Sequence, residues 1–328
     1  MKLIQELYEK VCRNQQITKE EAYALGQINI ENNEALEQLF TLANQIRQEK
    51  AGASADLCTI MNVKSGKCSE DCSFCAQSAH HKTNVETYSL VNEEAIIQRA
   101  KEMEAAGVHR FSLVSSGGHL DEEDLVYLEK IYKRIADETN LKICASHGML
   151  SQDAANRLKE AGVSRYHHNL ETSRERYTQI CTTHTFDDRI ETTKRAMDAG
   201  MSVCSGGIFG MGETTAQRID MAFDILATNA CSVPVNILNP IPGTPMELAE
   251  LPDPREILKV IAIYRFIFPE KVIRYAGGRA LLGQYMEQGF TAGVNGALTG
   301  DFLTTTGTNI ATDQEMLEGL GFALEAKV

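Results

Sequence analysis

The chain has 328 residues, of which 43% are hydrophobic and 23% are charged. This composition is ordinary for a globular protein and excludes a disordered chain or a fibrous repeat. A net charge of -13 argues against general binding to nucleic acid or to an anionic membrane, because both require a basic face. The N-terminal segment has charges every few residues, unlike a signal peptide or a membrane span. We therefore expect a cytoplasmic protein.

Residues 1–50 are predicted to be helical. Thr18 and Glu21 have the spacing of a capping box, in which each residue binds the backbone N–H of the other at the start of a helix. We expect this segment to be an N-terminal helical extension. It precedes a predicted barrel over residues 51–310 and a predicted C-terminal helical tail over residues 311–328.

From Asp56 onward, short apolar runs alternate with amphipathic segments of helical length, a pattern typical of a parallel sheet. Between the runs, Asn92 marks a helix start, and Gly107 and Gly162 mark helix ends. Eight units of this kind favour an α/β fold, a (β/α)8 TIM-type barrel, over an open doubly wound sheet. The predicted strands cover residues 57–63, 110–115, 142–146, 164–170, 201–208, 232–238, 271–276 and 293–299.

Several of these strands contain a polar or unusual side chain within an apolar run. In a TIM-type barrel, residues near the carboxyl ends of the strands form the active site. We therefore expect six side chains to converge on one cavity: Cys58, Cys144, Asn169, Cys204, Asn236 and Arg274.

Three cysteines, Cys68, Cys72 and Cys75, follow the first strand in one short loop. The chain has nine cysteines and no export signal, which indicates thiolate or metal chemistry rather than structural disulfides. Three thiolates can hold a four-iron cluster and leave one iron open to a small molecule. Two alternatives are a structural zinc site, which normally has a fourth protein ligand, and three incidental thiols.

The C-x3-C-x2-C spacing after a first barrel strand resembles that of the radical S-adenosylmethionine (SAM) superfamily. Five segments resemble the biotin synthase family in order, over about residues 40–310: CSEDCSFCAQS, YHHNLETS, VCSGGIFGMGET, SVPVNILNPIPGTP and VIRYAGGR. The resemblance implies that Cys68, Cys72 and Cys75 hold a 4Fe-4S cluster whose open iron binds SAM. It also implies that hydrogen is removed from C9 and C6 of dethiobiotin, and that sulfur from an auxiliary iron-sulfur cluster closes the biotin ring.

The same resemblance assigns residues to SAM. Asn169 and Glu171 occupy positions that bind the SAM ribose in the family. His167 stands in this group where the family usually has asparagine, and Glu171 stands where it usually has aspartate. The alternative for each residue is a polar strand end that faces water.

The resemblance also implies contacts to adenine and to the substrate. Ile208 and Phe209 are expected to pack on adenine, and Gly206 and Gly207 are expected to let the backbone approach the ligand. Asn236 matches a family residue that contacts dethiobiotin. The alternative for Asn236 is a hydrogen-bonded amide of the core.

In the family, three barrel cysteines and an arginine hold the auxiliary cluster. Cys144, Cys204 and Arg274 occupy three of these positions, but Ser112 stands where the first cysteine is expected. We expect Cys58, on the neighbouring first strand, to supply the missing thiolate. The alternative is that Cys58 is a small buried apolar residue and that the cluster is weak or absent. The cluster is either a 2Fe-2S cluster or a four-iron cluster with an extra sulfide.

Partners implied by the resemblance are a flavodoxin- or ferredoxin-type electron donor and a second copy of the chain in a homodimer. Cys181 and Cys231 match no family position, so we expect them to be structural, with cluster ligation as the alternative.

Two rival functions are open. One is another radical SAM barrel enzyme, such as a hydrogenase-cofactor maturase or a methylornithine-type mutase. The other is a metal-binding scaffold without turnover.

Overall fold

A closed ring of parallel strands forms the centre of the computed structural model, which describes residues 1–301, 303 and 307–324. Around the ring, the strands are β1 (Ser54–Lys64), β2 (Arg110–Ser115), β3 (Lys142–Ser146), β4 (Arg165–His167), β5 (Ser202–Cys204), β7 (Ser232–Ile237), β8 (Val272–Tyr275) and β9 (Gly296–Leu298). Pairing of β9 with β1 closes the ring. Each of the eight predicted segments overlaps one of these strands, and the predicted TIM-type barrel is confirmed.

Two short strands were not expected. β6 (Gly207–Phe209) pairs with β7, and β10 (Ala323–Leu324) pairs with β1 on the outside of the ring. β6 arises because the fifth predicted segment, 201–208, is interrupted at Ser205 and Gly206. The C-terminal segment therefore contributes a strand as well as a helix.

The break between β5 and β6 requires glycine. A Cβ atom at Gly206 would lie 1.9 Å from the carbonyl oxygen of Pro234, and one at Gly207 would lie 2.3 Å from Sδ of Met221. The sequence predicts that these glycines leave space for a ligand. In the structure, Pro234 of the neighbouring strand and Met221 of the neighbouring helix occupy the space beside them. Only a residue without a side chain fits where two backbones approach so closely.

The helices surround the ring and precede it at the N-terminus. They are α1 (Lys2–Cys12), α2 (Lys19–Gly26), α3 (Asn33–Ile46), α4 (Glu93–Ala105), α5 (Glu122–Glu138), α6 (Gln152–Glu160), α7 (Arg174–Tyr177), α8 (Phe186–Asp198), α9 (Thr215–Ala227), α10 (Pro254–Ile267), α11 (Met286–Phe290) and α12 (Ile310–Gly319), with a π-helical turn at Arg47–Ala51 and a 3-10 helix at Arg279–Tyr285. Within the described ranges, we find no helix whose length and hydropathy would allow it to span a membrane.

Sequence signals set the ends of these helices. The Thr18 side chain accepts a hydrogen bond from the Glu21 backbone N–H, and Glu21 accepts one from the Thr18 backbone N–H, so the predicted capping box is present. The side chain of Asn92 caps α4. Gly107 and Gly162 follow α4 and α6 with φ angles of 77° and 104°, which glycine adopts without strain.

The N-terminal helices pack against α10 on the outside of the barrel. The buried Lys259 side chain of α10 donates to the carbonyl oxygens of Gly26 and Ile28 at 3.0 and 2.9 Å, which ties the end of α2 to the barrel. The proposed boundaries at residues 50 and 310 stay a prediction, and residues 325–328 of the predicted tail lie outside the described part of the chain.

The substitution Gly206→Ala is expected to destabilise the barrel, because its methyl group would collide with the Pro234 carbonyl and push β7 away. We expect a loss of roughly 1–3 kcal/mol in the free energy of unfolding, as for other overpacked sites. Circular dichroism should show a lower thermal midpoint. The control is Gly319→Ala, where a new Cβ meets no atom within 4 Å. Equal midpoints for the two variants would contradict the close approach.

A candidate active site at the carboxyl ends of the strands

A cavity of about 420 Å³ opens at the carboxyl ends of the barrel strands. Side chains from the strands and from the loop after β1 line it. All six strand side chains that were expected to converge are among them, together with the three cysteines of the loop: Cys58, Cys144, Asn169, Cys204, Asn236, Arg274, Cys68, Cys72 and Cys75. The structure therefore brings both predicted cysteine groups to one cavity.

Backbone hydrogen bonds fold the cysteine loop back on itself. The Cys68 N–H donates to the Gln77 carbonyl at 2.9 Å, and the Cys68 carbonyl accepts from the Ala79 N–H at 2.8 Å. The Cys75 N–H donates to the Cys72 carbonyl at 3.0 Å. These bonds hold the three thiols on the cavity side of the loop. Burial raises the pKa of the Cys75 thiol to about 11, so a bound cation is needed to keep it ionised.

Arg274 fixes the deep end of the cavity. Its Nη1 donates to Sγ of Cys58 at 2.6 Å, its Nη2 to Oδ1 of Asp56 at 2.7 Å, and its Nε to Oγ of Ser232 at 2.9 Å. Asp56 is fully buried, at 0% exposure. Burial would raise the pKa of Asp56, but the nearby Arg274 and Arg110 guanidinium groups lower it below its usual value. A buried carboxylate and a thiol thus share one arginine.

The other two deep thiols have different partners. Arg110 Nη1 donates to Sγ of Cys144 at 3.6 Å. Burial would raise the pKa of Cys204, but a hydrogen bond with His167 and nearby positive charges lower it to about 6. Burial raises the pKa of Cys58 to about 11 despite the Arg274 charge. Cys204 is therefore the most readily ionised of these three thiols.

The strand register shows how Cys58 and Ser112 are related. Ser112 lies between Ile60 of β1 and Cys144 of β3, and it also lines the cavity. Cys58 lies two residues before Ile60, level with Arg110, and its thiol is close enough to Cys144 for their charges to interact. Cys58 and Ser112 thus lie on neighbouring strands, two positions apart in register, and both line the cavity.

A carboxylate and an amide are held together at the end of β4. Asn169 Nδ2 donates to Oε2 of Glu171 at 3.2 Å, and its Oδ1 accepts from the Gly206 N–H at 3.1 Å. Arg189 Nη1 donates to the Asn169 carbonyl at 2.9 Å and lies 3.5 Å from Oε1 of Glu171. Glu171 has a φ of 69°, so the chain bends sharply there. Both side chains line the cavity.

Two predicted SAM contacts are placed differently. Ile208 lines the cavity, but Phe209 is fully buried on the other side of β6, with its ring centroid 5.7 Å from that of Tyr264. The prediction that Phe209 packs on adenine is wrong, because successive residues of a strand face opposite sides. His167, which was grouped with the ribose residues, lines the cavity but forms its hydrogen bond with Cys204.

Asn236 lines the cavity with its amide already bound to the backbone. Its Nδ2 donates to the Gly207 carbonyl at 3.1 Å, and its Oδ1 accepts from the Gly277 N–H at 2.9 Å. These two bonds agree with the alternative given for Asn236 in the sequence analysis, a hydrogen-bonded amide of the core. An amide has a second N–H and a second lone pair, so these contacts do not exhaust its capacity to bind a ligand.

Sequence analysis missed four charged residues of the site. Three of them lie near the start of an apolar strand: Asp56, Arg110 and Arg165. The sequence could have indicated them, because an isolated charge in a strand that is buried on both faces needs a partner. Arg165 Nε donates to Oγ of Ser202 at 3.2 Å. Arg189 gives no such signal, because it belongs to the amphipathic helix α8 and reaches the site only through the fold.

Two family models match most of the chain. One is described as the Radical SAM superfamily and matches residues 62–226, and the other is described as the Biotin and Thiamin Synthesis associated domain and matches residues 234–323.

Curated relatives match over nearly the full length. A biotin synthase of Fusobacterium nucleatum subsp. nucleatum is 52% identical over 326 residues, which cover 98% of this chain and 89% of the relative. A biotin synthase of Clostridioides difficile is 51% identical over 323 residues, which cover 98% and 99%.

Solved structures show a similar barrel. The crystal structure of a methylornithine synthase has a TM-score of 0.82 at 24% identity over 97% of both chains. The FeFe-hydrogenase maturase of Carboxydothermus hydrogenoformans has a TM-score of 0.81 at 20% identity, covering 99% of this chain and 80% of its own. At such identities these structures support the fold alone, and neither rival radical SAM function has the sequence support of the biotin synthases. The chain therefore belongs to the biotin synthase family of the radical SAM superfamily.

Proposed function

We propose that this enzyme converts dethiobiotin to biotin by removing hydrogen from C9 and C6 and inserting sulfur between them. The observation that carries the proposal is that two groups of three thiols line one cavity at the carboxyl ends of the barrel strands. Family membership implies a 4Fe-4S cluster with SAM and an auxiliary iron-sulfur cluster. When bound, the first supplies the electron that cleaves SAM, and the second supplies the inserted sulfur.

Cys68, Cys72 and Cys75 fit the first cluster, because three thiols on one folded loop supply three ligands and leave one iron for SAM. Glu171 accepts hydrogen bonds from the ribose hydroxyls, and Asn169 orients its carboxylate through their 3.2 Å contact. Ile208 supplies the apolar surface for adenine.

Cys58, Cys144 and Cys204 are proposed to hold the auxiliary cluster, with Cys58 replacing the cysteine that is absent at Ser112. All three thiols line the cavity, and each lies close to an arginine or histidine that stabilises a thiolate. The site therefore suits an anionic cluster.

Arg274 acts on the auxiliary cluster as a hydrogen-bond donor in this proposal. Each of its three side-chain nitrogens donates to another group of the protein, namely Cys58, Asp56 and Ser232. The protein then provides three ligands, all sulfur. Three ligands favour the four-iron cluster with an extra sulfide over the 2Fe-2S cluster.

The substrate contacts follow from the remaining lining. Ile60, Val114 and Leu298 give part of the cavity an apolar wall, which suits the aliphatic chain of dethiobiotin. The amide of Asn236 and the neighbouring backbone are proposed to bind the ureido head. The flavodoxin- or ferredoxin-type donor, the homodimer and the cytoplasmic location stay predictions from the family resemblance.

The substitution Cys58→Ser is expected to abolish biotin formation, because the auxiliary cluster loses one of its three thiolates. Anaerobically reconstituted protein should lose iron and sulfide in amounts equal to the auxiliary cluster, as counted chemically and by Mössbauer spectroscopy. The first cluster should persist in the same spectra. Wild-type protein that holds both clusters yet neither cleaves SAM nor forms biotin would overturn the proposed function.

The rescue variant Cys58→Ser/Ser112→Cys moves the thiol from β1 to β2, and we expect it to regain auxiliary iron. Cys231→Ser is the matched control, because Cys231 is half-buried and its thiol donates to the Val203 carbonyl outside the cavity. If Cys58→Ser retains the full iron count of the wild type, Cys58 is not a ligand.

The substitution Glu171→Gln is expected to weaken SAM binding. A hydrogen bond to a charged group contributes about 1.5–3 kcal/mol, so the dissociation constant should rise roughly 10- to 100-fold. Equilibrium binding of SAM to cluster-loaded protein measures the change. Glu175→Gln is the control, since Glu175 lies on α7 with an exposed contact to Gln217. An unchanged affinity in Glu171→Gln would remove Glu171 from the ribose site.

A further inference from the structure

A third cysteine group lies beside the cysteine loop at the edge of the cavity, where Cys72 and His184 are both lining residues. Cys181 and His184 belong to the turn between α7 and α8, and Sγ of Cys181 is 3.8 Å from Sγ of Cys72. The ligand atoms of Cys72, Cys181 and His184 all lie within 4.8 Å of one another. Their exposures are 8%, 3% and 7%, so the group is buried. The proposed function uses Cys72 and leaves the other two residues without a role.

The distances match those around a single tetrahedral ion. Two sulfurs bound to Zn²⁺ at about 2.3 Å and at the tetrahedral angle lie about 3.8 Å apart, which is the observed separation of Cys72 and Cys181. A sulfur and an imidazole nitrogen on the same ion lie about 3.6 Å apart by the same geometry. Nε2 of His184 is 3.8 Å from Sγ of Cys181.

The groups around this histidine are those of a metal site. Nδ1 of His184 lies 2.5 Å from Oε2 of Glu70, so its N–H donates to a carboxylate and Nε2 is left to bind an ion. Carboxylates hold metal-bound histidines in this way in many proteins. Asp71 Oδ1 lies 3.3 Å from Sγ of Cys181 and accepts from the Thr182 N–H at 2.9 Å, so it holds the Cys181 side chain in place without being one of the three grouped ligand atoms.

We propose that Cys72, Cys181 and His184, with water as the fourth ligand, bind one thiophilic divalent cation of the Zn²⁺ class when the chain carries no cluster. Thiolate and imidazole are ordinary ligands of such ions. Cys72 serves both sites, so the ion and the first cluster exclude each other. That exclusion rests on the proposed function, whereas binding of the ion does not.

Titration of the full-length, cluster-free chain with Co²⁺ under anaerobic conditions tests the site, because tetrahedral thiolate-bound Co²⁺ has a distinct visible spectrum. We expect saturation at about one equivalent. Cys181→Val removes a ligand of the ion. It should weaken Co²⁺ binding more than the removal of a residue that only supports a metal ligand, which lowers affinity roughly 10- to 100-fold. His184→Gln should weaken it too, and it provides a second test if the valine variant folds poorly.

The double variant Cys68→Ala/Cys75→Ala removes two ligands of the first cluster and keeps all three proposed protein ligands of the ion. It should bind Co²⁺ as the wild type does, as should the control Cys231→Val. If the double variant loses Co²⁺ while Cys181→Val retains it, the ion occupies the C-x3-C-x2-C loop instead, and the proposal is overturned.

A competition experiment tests the shared cysteine. Zn²⁺ is added before reconstitution with iron and sulfide, and formation of the first cluster is measured by its visible absorption. We expect Zn²⁺ to slow cluster formation in the wild type and not in Cys181→Val. Equal slowing in both proteins would overturn the exclusion. A first cluster that fails to form even without zinc would count against the proposed function and leave the Co²⁺ result intact.

Discussion

The buried ion pair between Arg274 and Asp56 is the interaction on which the deep end of the barrel depends. Charges removed from water destabilise a protein unless they are paired and their hydrogen-bonding groups are satisfied. Arg274 meets this requirement by donating to Asp56, to Ser232 and to the thiol of Cys58. Its three partners come from two strands, β1 and β7, while it belongs to a third. The position of the Cys58 thiol is therefore fixed by the same contacts that compensate the buried charge.

The geometry of the barrel explains why the thiols and charged side chains of different strands lie in one cavity. The strands are parallel and closely paired, so side chains from β1, β2, β3, β5 and β8 point into one space from different directions. Each deep thiol then has its own cationic or imidazole neighbour, namely Arg274 for Cys58, Arg110 for Cys144 and His167 for Cys204. These fixed neighbours differ in kind, so the three sulfurs of the group are chemically distinct before any cofactor binds.

The sequence indicated the eight strands because apolar runs with glycine stops repeat along the chain, and it indicated the loop cysteines because their spacing is local. Cys58, Cys144 and Cys204 are far apart in the chain, and only the predicted barrel and the family resemblance grouped them. It could not indicate which side of β6 faces the cavity. That depends on the break at Ser205 and Gly206 between β5 and β6, and Phe209 was misplaced for this reason. Arg189 was missed because its partners are brought together by folding: the Asn169 carbonyl at 2.9 Å and the Tyr177 hydroxyl at 2.5 Å.

Arg189 also connects the cysteine loop to the residues after β4. Its Nη2 lies 4.0 Å from Sγ of Cys72, and its Nη1 binds the backbone beside Glu171. It belongs to α8, and the turn that precedes this helix carries Cys181. A displacement of α8 would therefore disturb Glu171 and the group of Cys72, Cys181 and His184 together. Cys72 is the residue where both meet, so the environment of that one sulfur is set by the packing of α8 as much as by the loop that contains it.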